Sequence, residues 1–393
     1  MINFKSVNKV LIRVDFNVPI KQGKVIDLTR IESAIPTIKY FLDKKMNVFL
    51  MSHLGRPLKQ ESKYSLKQII PSIEKLLTKK VKFVKDINGN VRNLLSKNKN
   101  QIFLLENLRF YSGEKENNVQ FAELLSKYGD IYVNDAFGVS HRHHASVSAI
   151  GNFFLNKKFK GLLVKKELDE LSQLNQNNKR PFTIIVGGSK IGSKIHLLKT
   201  FLNKADNILI GGGMAFPFIK FLGGSIGDSI YKESELGVVK SFLDRAQQSK
   251  TKIILPTDCI ATNDLENSVD CKNIYINNIP DSYMGVDIGK DTIRLFSETI
   301  KASKLIMWNG PMGVSEIDLF SFGTRKIAES ITQATAHNAY SIVGGGDTVS
   351  DIAKLEMKNN FSYISTGGGA MLDFFRDSNL PGILNMKSLK IDI

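Results

Sequence analysis

The sequence is poor in cysteine and has no long apolar segment. Only Cys259 and Cys271 occur among 393 residues, too few for a disulfide framework and without partners at the spacing of a zinc site. No run of about 18 apolar residues is present, which excludes a conventional transmembrane helix. The stretch 1–16 also lacks the pattern of a signal peptide. Together these absences predict a cytoplasmic protein with no membrane partner.

Two widespread nucleotide-binding loops are missing as well. No GxxxxGK[ST] motif occurs, which excludes a Walker A loop, and no GxGxxG follows a strand-like run, which excludes the dinucleotide fingerprint. Any nucleotide site in this chain must therefore use other glycine-rich turns.

Positive charge is in excess, with a formal net charge of +16. Such an excess is compatible with a nucleic acid, an anionic membrane or a phosphorylated small molecule as partner. The lysines are scattered singly, as in 75–86 and 96–101, and no basic run is interleaved with aromatic residues. We interpret most of them as a solvated surface and expect no specific nucleic-acid partner. Weak, salt-sensitive binding of nucleic acid stays open as an alternative.

Short apolar runs alternate with helix-like segments through both halves of the chain. The runs lie at 9–16, 46–51, 82–86, 101–107, 130–137, 183–186, 207–210, 252–255, 304–308, 340–343 and 362–365, and the helix-like segments include 30–44, 66–78, 195–205 and 234–248. Continuous apolar strands separated by helices are typical of a parallel sheet covered on both faces. The predicted fold class is α/β, with two doubly wound parallel-sheet (Rossmann-like) domains joined by a hinge helix.

The segment 161–180 is the predicted connecting helix and hinge. Val164, Leu168 and Leu171 recur there at helical spacing, and the polar stretch 175–181 ends the helix. The predicted domains are therefore residues 1–160 and residues 181–374.

In the first half, the expected strand ends are cationic and polar. Ligands of open α/β sheets bind outside the carboxyl ends of the strands, and several arginines at one edge form a cradle for phosphate or carboxylate. A surface ion pair is the alternative for any single residue. The set comprises Arg13, Asp15, Asn17, Arg30, His53, Arg56, Arg109, His141, Arg142, His143 and His144. Zinc is not expected, because HRHH (141–144) is a loop and no cysteine or carboxylate pair completes a shell.

In the second half, the expected strand ends are rich in glycine. Glycine lets backbone N–H groups approach a phosphate, and a helix N-terminus adds a favourable dipole. Lys190 and Lys194, four residues apart, are expected on one helix face beside a polyphosphate. Asp347 offers a carboxylate for Mg²⁺. For the glycines at 211–213 and 367–369, tight packing of a strand against a helix is the alternative.

A charged cradle in one domain, a phosphate-binding domain after it and a hinge between them predict phosphoryl transfer. That reaction needs in-line positioning, neutralised charge and exclusion of water. Closure of a hinge can supply all three.

A series of motifs follows in one order from residue 13 to residue 370. They are RVDFNVP (13–19), SHLGRP (52–57), ENLRF (106–110), NDAFG (134–138) followed by HR, GGSK (187–190), GGGMA (211–215), WNGPMG (308–313), GGGDT (344–348) and STGGGA (365–370). With these motifs the sequence closely resembles the phosphoglycerate kinase family, the glycolytic kinases with two domains, over essentially the whole chain.

The resemblance implies 3-phosphoglycerate or 1,3-bisphosphoglycerate in the first domain, and ADP or ATP with Mg²⁺ in the second. The implied substrate contacts are Asp15, Phe16, Asn17, Arg30, His53, Leu54, Gly55, Arg56, Arg109 and Arg142. The implied nucleotide contacts are Lys194, Asn309, Glu316, Gly345, Gly346, Asp347 and Thr348, with Asp347 as the metal ligand. The implied transfer-site residues are Arg30, Lys190, Gly346 and Gly369. The resemblance also implies a monomer whose tail, residues 375–393, packs back on the first domain.

The implied reaction needs no general base, because its acceptor is a carboxylate that is already ionised at neutral pH. Catalysis is therefore expected to be mostly electrostatic. The sequence departs from the family pattern at Ser189, Ser193, His143 and Asp373. An inactive nucleotide-binding scaffold stays open as an alternative, although Arg30, Lys190, Lys194 and Asp347 are all present.

Overall fold

The computed structural model describes residues 7–89, 91, 99–176, 178–192, 194–266, 270–376 and 379–389. By Cα proximity the chain divides into two compact units, Met1–Ser172 with Asp377–Ile393, and Gln173–Arg376. The division falls inside the helix Leu162–Gln176, within the segment predicted as connecting helix and hinge. The predicted domain limits stay predictions.

The first unit is built on a seven-stranded parallel sheet. Its strands, numbered along the chain, are β1 Lys9–Val14, β2 Ile20–Lys21, β3 Lys24–Val25, β4 Asn47–Met51, β5 Val81–Val84, β6 Ile102–Leu105, β7 Ile131–Asp135, β8 Lys158–Lys160 and, from the end of the chain, β20 Lys387–Ser388. The sheet order is β20-β8-β7-β1-β4-β6-β5, while β2 and β3 form a separate antiparallel hairpin. Since β7, β1, β4 and β6 are neighbours, the loops that follow them meet at one edge of the sheet.

Helices follow the strands of this unit. They are Thr29–Asp43, Ile70–Leu77, Ser112–Lys115, Val119–Ser126 and Leu162–Gln176, with 3₁₀ turns at Ser62–Tyr64, Leu66–Ile69, Leu108–Phe110, Phe137–Val139 and Ala149–Phe153. The helix Thr29–Asp43 buries Ile31, Ile35 and Ile38, three or four residues apart, in the same core cluster as Val10 of β1. Each such side chain stabilises the fold by roughly 1.5–3 kcal/mol on leaving water.

The second unit has a six-stranded parallel sheet and two smaller sheets. Its strands are β9 Phe182–Val186, β10 Asn207–Ile210, β11 Ser225–Ile226, β12 Lys252–Ile254, β13 Asp258–Thr262, β14 Cys271–Tyr275, β15 Asn278–Ile279, β16 Met284–Ile288, β17 Leu305–Asn309, β18 Tyr340–Gly344 and β19 Tyr363–Ile364. The main sheet has the order β12-β10-β9-β17-β18-β19. Strands β14, β13 and β16 form an antiparallel sheet, and β11 pairs with β15.

The helices of the second unit follow the strand ends. They are Ile195–Phe201, Phe216–Phe221, Leu236–Gln247, Lys290–Ala302, Phe322–Ala336, Gly346–Lys354 and Gly368–Arg376, with 3₁₀ turns at Gly212–Ala215, Glu233–Glu235, Asp318–Phe320 and Lys358–Asn360. Strand β17 is buried at every position, as expected for the middle of a parallel sheet that is covered on both faces.

The predicted α/β class with parallel sheets is confirmed. The antiparallel sheet of β13, β14 and β16 was not predicted, because β14 is almost wholly exposed and therefore has no apolar run to identify it. Within the described residues, no helix is long and apolar enough to span a membrane.

The described part of the tail, 379–389, belongs to the first unit. Lys387 of β20 pairs with Phe159 of β8, and Nδ2 of Asn134 donates a hydrogen bond to the carbonyl of Gly382 at 2.6 Å. Residues 377–378 and 390–393 of the predicted tail lie outside the described residues.

Candidate functional site

Four neighbouring strands of the first unit deliver the predicted cradle. Asp15, Phe16 and Asn17 follow β1, the stretch 53–56 follows β4, Arg109 follows β6 and Arg142 follows β7. The parallel register of β7, β1 and β4 places these loops side by side. The sheet order therefore brings together residues that lie up to 127 positions apart in the sequence, Asp15 and Arg142.

Asp15 and Asn17 organise the middle of this edge. Nη1 of Arg30 donates to Oδ2 of Asp15 at 2.7 Å, and Arg30 keeps about a third of its side chain exposed. Oδ1 of Asn17 accepts a hydrogen bond from the backbone N–H of Gly55 at 2.7 Å. The N–H of Phe16, whose side chain is buried, donates to the hydroxyl of Ser52 at 2.9 Å. These bonds fix the loops after β1 and β4 against each other.

Asn107 is a supporting residue that sequence reasoning missed. Its fully buried side chain accepts from the N–H of Leu54 at 3.2 Å and from the N–H of Arg109 at 3.0 Å. Its Nδ2 donates to the carbonyls of Leu54 and Tyr64, both at 2.8 Å. Asn107 thereby holds the loop that carries Gly55 against Arg109, which donates to the Gly55 carbonyl. An asparagine two residues after an apolar strand was the available signal.

Positive charge is concentrated and only partly neutralised at this edge. Burial and the charges of Arg142 and Arg13 lower the pKa of Arg109 to about 10. Burial lowers the pKa of Arg142 as well, against the raising effect of Asp15. Asp15 is thus one carboxylate among several cations, and an anionic ligand bound there would relieve their repulsion.

The members of the predicted set differ in position. Arg56 and His143 are exposed, Arg142 and His144 are half-buried, and Arg13 is 1% exposed. The prediction that Arg13 is one of the cradle residues at this edge is therefore wrong. Its side chain points from β1 into the interior, where it hydrogen-bonds Ser146 behind the cradle.

In the second unit, three glycine-containing loops meet after β9, β17 and β18, which are adjacent strands. The N–H of Gly188 donates to the carbonyl of Pro311 at 2.7 Å, and the N–H of Gly310 donates to the hydroxyl of Thr348 at 2.8 Å. Gly188, Gly310 and Gly345 have φ of +87°, +103° and +103°, a region that L side chains rarely adopt. The loops can pack this closely because glycine occupies these positions.

The expectation that Lys190 and Lys194 share a helix face is wrong. The helix begins at Ile195, and the loop before it turns at Gly188. Lys190 is exposed, whereas Nζ of Lys194 folds inward and donates to the carbonyls of Gly187, at 2.6 Å, and Asn309, at 3.2 Å. Burial lowers the pKa of Lys194 to about 8, against the raising effect of Asp347.

Two glycine-rich helix N-termini lie next to each other. The helix Gly346–Lys354 begins with Gly346, where an added Cβ would meet no atom within 4 Å, and Asp347 is exposed in its first turn. The helix Gly368–Arg376 begins beside it, because a Cβ on Gly368 would lie 3.0 Å from Cα of Gly345. Gly369 is the exposed second residue of that helix. Backbone N–H groups of both N-termini can therefore face one anion.

A cavity of about 510 Å³ adjoins these loops. Its polar lining includes Gly188, Gly212, Glu316 and Asp347, and its apolar lining includes Phe216, Ile230, Met312 and Val314. The size and the mixed walls suit an organic ligand with a flat apolar part and an anionic end. Of these apolar residues, Met312 lies in the motif WNGPMG (308–313), whereas Phe216, Ile230 and Val314 lie outside the motifs.

The described residues contain no group of three or more His, Cys, Asp or Glu side chains that could hold a metal ion. Asp347 is an exposed carboxylate that lines the cavity beside the glycine loops. One carboxylate together with ligand phosphates is a common environment for Mg²⁺, so this position fits an ion that arrives with a phosphorylated ligand.

Comparison with known proteins identifies the family. The family model described as phosphoglycerate kinase matches residues 3–378.

The chain belongs to the phosphoglycerate kinase family.

Curated relatives cover nearly the same length. The chain is 41% identical over 386 residues to phosphoglycerate kinase of Thermosipho africanus, covering 97% of this chain and 96% of that protein. It is 44% identical over 381 residues to the enzyme of Finegoldia magna, covering 95% of each. Family membership over this length assigns the chain to the kinases of glycolysis, which are phosphotransferases.

Solved structures of the same family have the same fold. Phosphoglycerate kinase from Coxiella burnetii matches with a TM-score of 0.82 at 36% identity, covering 97% of this chain and 96% of that one. The enzyme from Pyrococcus horikoshii matches with a TM-score of 0.80 at 29% identity, covering 96% and 95%. The prediction of the family from the motif series is confirmed.

Four positions depart from the family pattern, namely Ser189, Ser193, His143 and Asp373. Ser189 is exposed and lines the cavity. Asp373 pairs with Arg376 at 3.0 Å, within its own helix. Ser193 lies outside the described residues.

Proposed function

We propose that the chain transfers a phosphoryl group between 1,3-bisphosphoglycerate and ADP, giving 3-phosphoglycerate and ATP, with the phosphoglycerate held by the first unit and the nucleotide by the second. The observation that supports this division best is the contrast in ligand chemistry. The first unit offers guanidinium and imidazole groups for a small polyanion, and the second offers glycine backbone beside a cavity with apolar walls.

The phosphoglycerate is assigned to the edge formed by the loops after β1, β4, β6 and β7. The proposed contacts are Asp15, Phe16, Asn17, Arg30, His53, Leu54, Gly55, Arg56, Arg109 and Arg142. The arginines match carboxylate and phosphate oxygens through paired N–H donors. Phe16 and Leu54 have buried side chains, so any contact they make is through the backbone.

The nucleotide is assigned to the cavity and the loops beside it. The proposed contacts are Lys194, Asn309, Glu316, Gly345, Gly346, Asp347 and Thr348. Nδ2 of Asn309 is buried without a hydrogen-bond partner, and it lies close to Gly345, whose added Cβ would be 3.2 Å away. An acceptor on a ligand phosphate would satisfy this amide.

Mg²⁺ is proposed to arrive with the nucleotide and to be held by its phosphates and Asp347, directly or through water. Bound there, the ion would neutralise charge on the phosphate chain. Asp347 would orient that ion, and the N-terminus of its helix would leave the glycine N–H groups for phosphate oxygens.

In the direction that consumes ATP, a carboxylate oxygen of 3-phosphoglycerate attacks the γ-phosphorus. The bond from the γ-phosphorus to the bridging oxygen breaks, and ADP leaves with that oxygen. Arg30, Lys190 and the backbone N–H groups near Gly346 and Gly369 are proposed to stabilise the charge on the transferring group. Closure of the two units about the connecting helix would bring the reactants into line, which makes hinge bending part of the proposal.

The proposal includes a cytoplasmic monomer. Cys259 and Cys271 are both free, as is usual in a reducing compartment. Sedimentation of the purified chain at several concentrations tests the oligomeric state, and a dimer at micromolar concentration contradicts it.

The reaction is tested by Mg²⁺-dependent formation of 1,3-bisphosphoglycerate from ATP and 3-phosphoglycerate, coupled to NADH oxidation by a dehydrogenase that reduces the product. Turnover that requires both substrates supports the proposal. A folded chain that binds ADP without turnover contradicts it and favours the inactive scaffold. Omission of 3-phosphoglycerate is the control for simple ATP hydrolysis.

A further inference from the structure

A chain of buried polar groups leads from a carboxylate to the ring of His53. Glu114 is fully buried and accepts hydrogen bonds from the backbone N–H of Ser146, at 3.0 Å, and from the Ser146 hydroxyl, at 2.7 Å. Nε of Arg13 donates to the same hydroxyl oxygen at 2.9 Å. At the other end of the guanidinium, Nη2 lies 3.2 Å from Nδ1 of His53. Arg13 thus connects the interior to a residue of the proposed substrate site.

The contact between Arg13 and His53 determines which ring nitrogen is protonated. A guanidinium can only donate, so Nδ1 of His53 must accept with its lone pair. Oδ1 of Asp15, the competing partner, lies 3.7 Å from Nδ1, beyond hydrogen-bonding distance. The ring proton is therefore on Nε2.

The ring of His53 is also neutral. Burial, followed by the positive charges of Arg13, Arg109, Arg142 and Arg30, holds the pKa of His53 well below its usual value. The other charged group that faces the ring is Asp15, which is paired with Arg30. In the part of the chain that the structure describes, no protein group hydrogen-bonds Nε2, so its N–H can donate to an anion.

We propose that Arg13 is a positioning residue for the phosphoglycerate site: it fixes His53 as the tautomer that donates from Nε2, and Ser146 and Glu114 hold its guanidinium in place. The inference rests on the proposed function for the assignment of His53 to that site. With the opposite tautomer, the Nε2 lone pair would face the anion and repel it. Arg13, Ser146 and Glu114 act through His53 and make no contact with substrate.

The tautomer is tested by nitrogen NMR of the full chain labelled at its histidines, of which there are six. His53→Gln identifies the signals of His53. A protonated Nε2 and a bare Nδ1 are expected at neutral pH, since the pKa of His53 is depressed. A protonated Nδ1, or an even mixture of both tautomers, overturns the proposal.

Ser146→Ala tests the chain behind Arg13 and is a milder change than removal of Arg13 or Glu114. Ser140→Ala is the matched control, since Ser140 is also fully buried in the first unit. Its hydroxyl likewise makes two hydrogen bonds, from Nδ2 of Asn134 and to the carbonyl of Ala136. Only Ser146→Ala should shift the His53 signals toward the other tautomer. Equal spectra for the two variants overturn the role of Ser146.

Binding separates this inference from the proposed function. For Ser146→Ala the Kd for 3-phosphoglycerate should rise roughly threefold to tenfold, with the Kd for ADP unchanged. Arg13→Lys, which keeps the charge and loses the paired donors, should raise the same Kd. If the tautomer is as expected but His53→Gln binds 3-phosphoglycerate like the unaltered chain, the assignment of His53 to the substrate fails, and the role of Arg13 in binding fails with it.

Discussion

The two units use opposite means to form an anion-binding edge at the ends of parallel strands. The first unit concentrates arginine and histidine side chains, whose burial and mutual repulsion lower several pKa values. The second unit uses glycine loops and helix N-termini, where backbone N–H groups supply positive potential that does not titrate. Lys194 adds a buried titrating charge there.

This difference matches what each proposed ligand requires. Phosphoglycerate is small and must be recognised by its charged ends, and guanidinium groups can do so with defined geometry. A nucleotide has a long phosphate chain and a flat base, so close backbone approach and a cavity with apolar walls are more useful. Variants that alter one edge at a time can therefore separate the two requirements.

Lys190→Ala should have the largest effect, because Lys190 is proposed to stabilise charge that develops on the transferring phosphoryl group. We expect kcat to fall roughly 100-fold to 1,000-fold with a smaller change in either KM. Steady-state kinetics with both substrates varied measures this. Lys240→Ala, an exposed lysine on the helix Leu236–Gln247, is the control. An unchanged kcat removes Lys190 from the transfer site.

Arg30→Ala is the counterpart in the first unit. It should lower kcat by a similar factor, and it should also raise the KM for 3-phosphoglycerate, because Asp15 loses its partner at 2.7 Å. The KM for ATP should not change. A change in the KM for ATP alone would contradict the assignment of Arg30 to the phosphoglycerate side.

Asp347→Ala should raise the Mg²⁺ concentration needed for half-maximal activity by roughly tenfold to 100-fold. The exposed carboxylate in the first turn of the helix Gly346–Lys354 is proposed to orient the ion. Activity titrated with Mg²⁺ at fixed ATP measures the shift. Asp281→Ala, an exposed carboxylate of the same unit, should leave the titration unaltered. An unaltered titration for Asp347→Ala itself would show that the assignment is wrong.

Gly346→Ala and Gly345→Ala separate binding from folding. A methyl group at Gly346 meets no protein atom within 4 Å, so we expect unchanged thermal stability. The Kd for ADP should rise roughly tenfold, because the methyl group would exclude a phosphate from that position. At Gly345 the φ of +103° makes alanine strained, so that variant should lower Tm as well. Calorimetry and thermal unfolding check the pair. Unaltered ADP binding in Gly346→Ala places the phosphates elsewhere.

The pH dependence of nucleotide binding should follow Lys194. Its pKa in the protein is lowered to about 8, so it is charged below that pH and becomes neutral above it. The Kd for ADP should therefore rise about fivefold between about pH 7.5 and 9. Over the same range 3-phosphoglycerate binding should change little, because the pKa of Arg109 is about 10. Lys194→Met should bind ADP weakly at all these pH values. If its pH dependence equals that of the unaltered chain, another group is responsible.

The strands and the family could be predicted from the sequence because the relevant signals are local. The run at 207–210 coincides with β10, and the run at 340–343 lies within β18. Buried parallel strands are continuously apolar, and glycine at a strand end is visible in the sequence. The place of each strand in its sheet then follows from the topology of the fold.

What could not be predicted depends on contacts distant in sequence. The sequence predicts Arg13 as a cradle residue because nothing beside it reveals that its side chain hydrogen-bonds Ser146, 133 residues later. The spacing of four residues between Lys190 and Lys194 predicts that both lie on one helix. The chain turns at Gly188, however, and the helix begins only at Ile195. Phe216 and Ile230 of the apolar cavity wall lie outside every motif. Such features are determined by tertiary packing, which single-sequence patterns do not show.

Calorimetric binding tests most directly whether the first unit holds the phosphoglycerate and the second holds the nucleotide. Each substrate alone is titrated into two variants, Arg142→Gln and Gly346→Ala. We expect Arg142→Gln to raise the Kd for 3-phosphoglycerate and to leave the Kd for ADP with Mg²⁺ unchanged, and we expect Gly346→Ala to do the reverse. If either variant weakens the binding of both ligands equally, or weakens only the ligand assigned to the other unit, the two units do not bind their ligands separately as proposed.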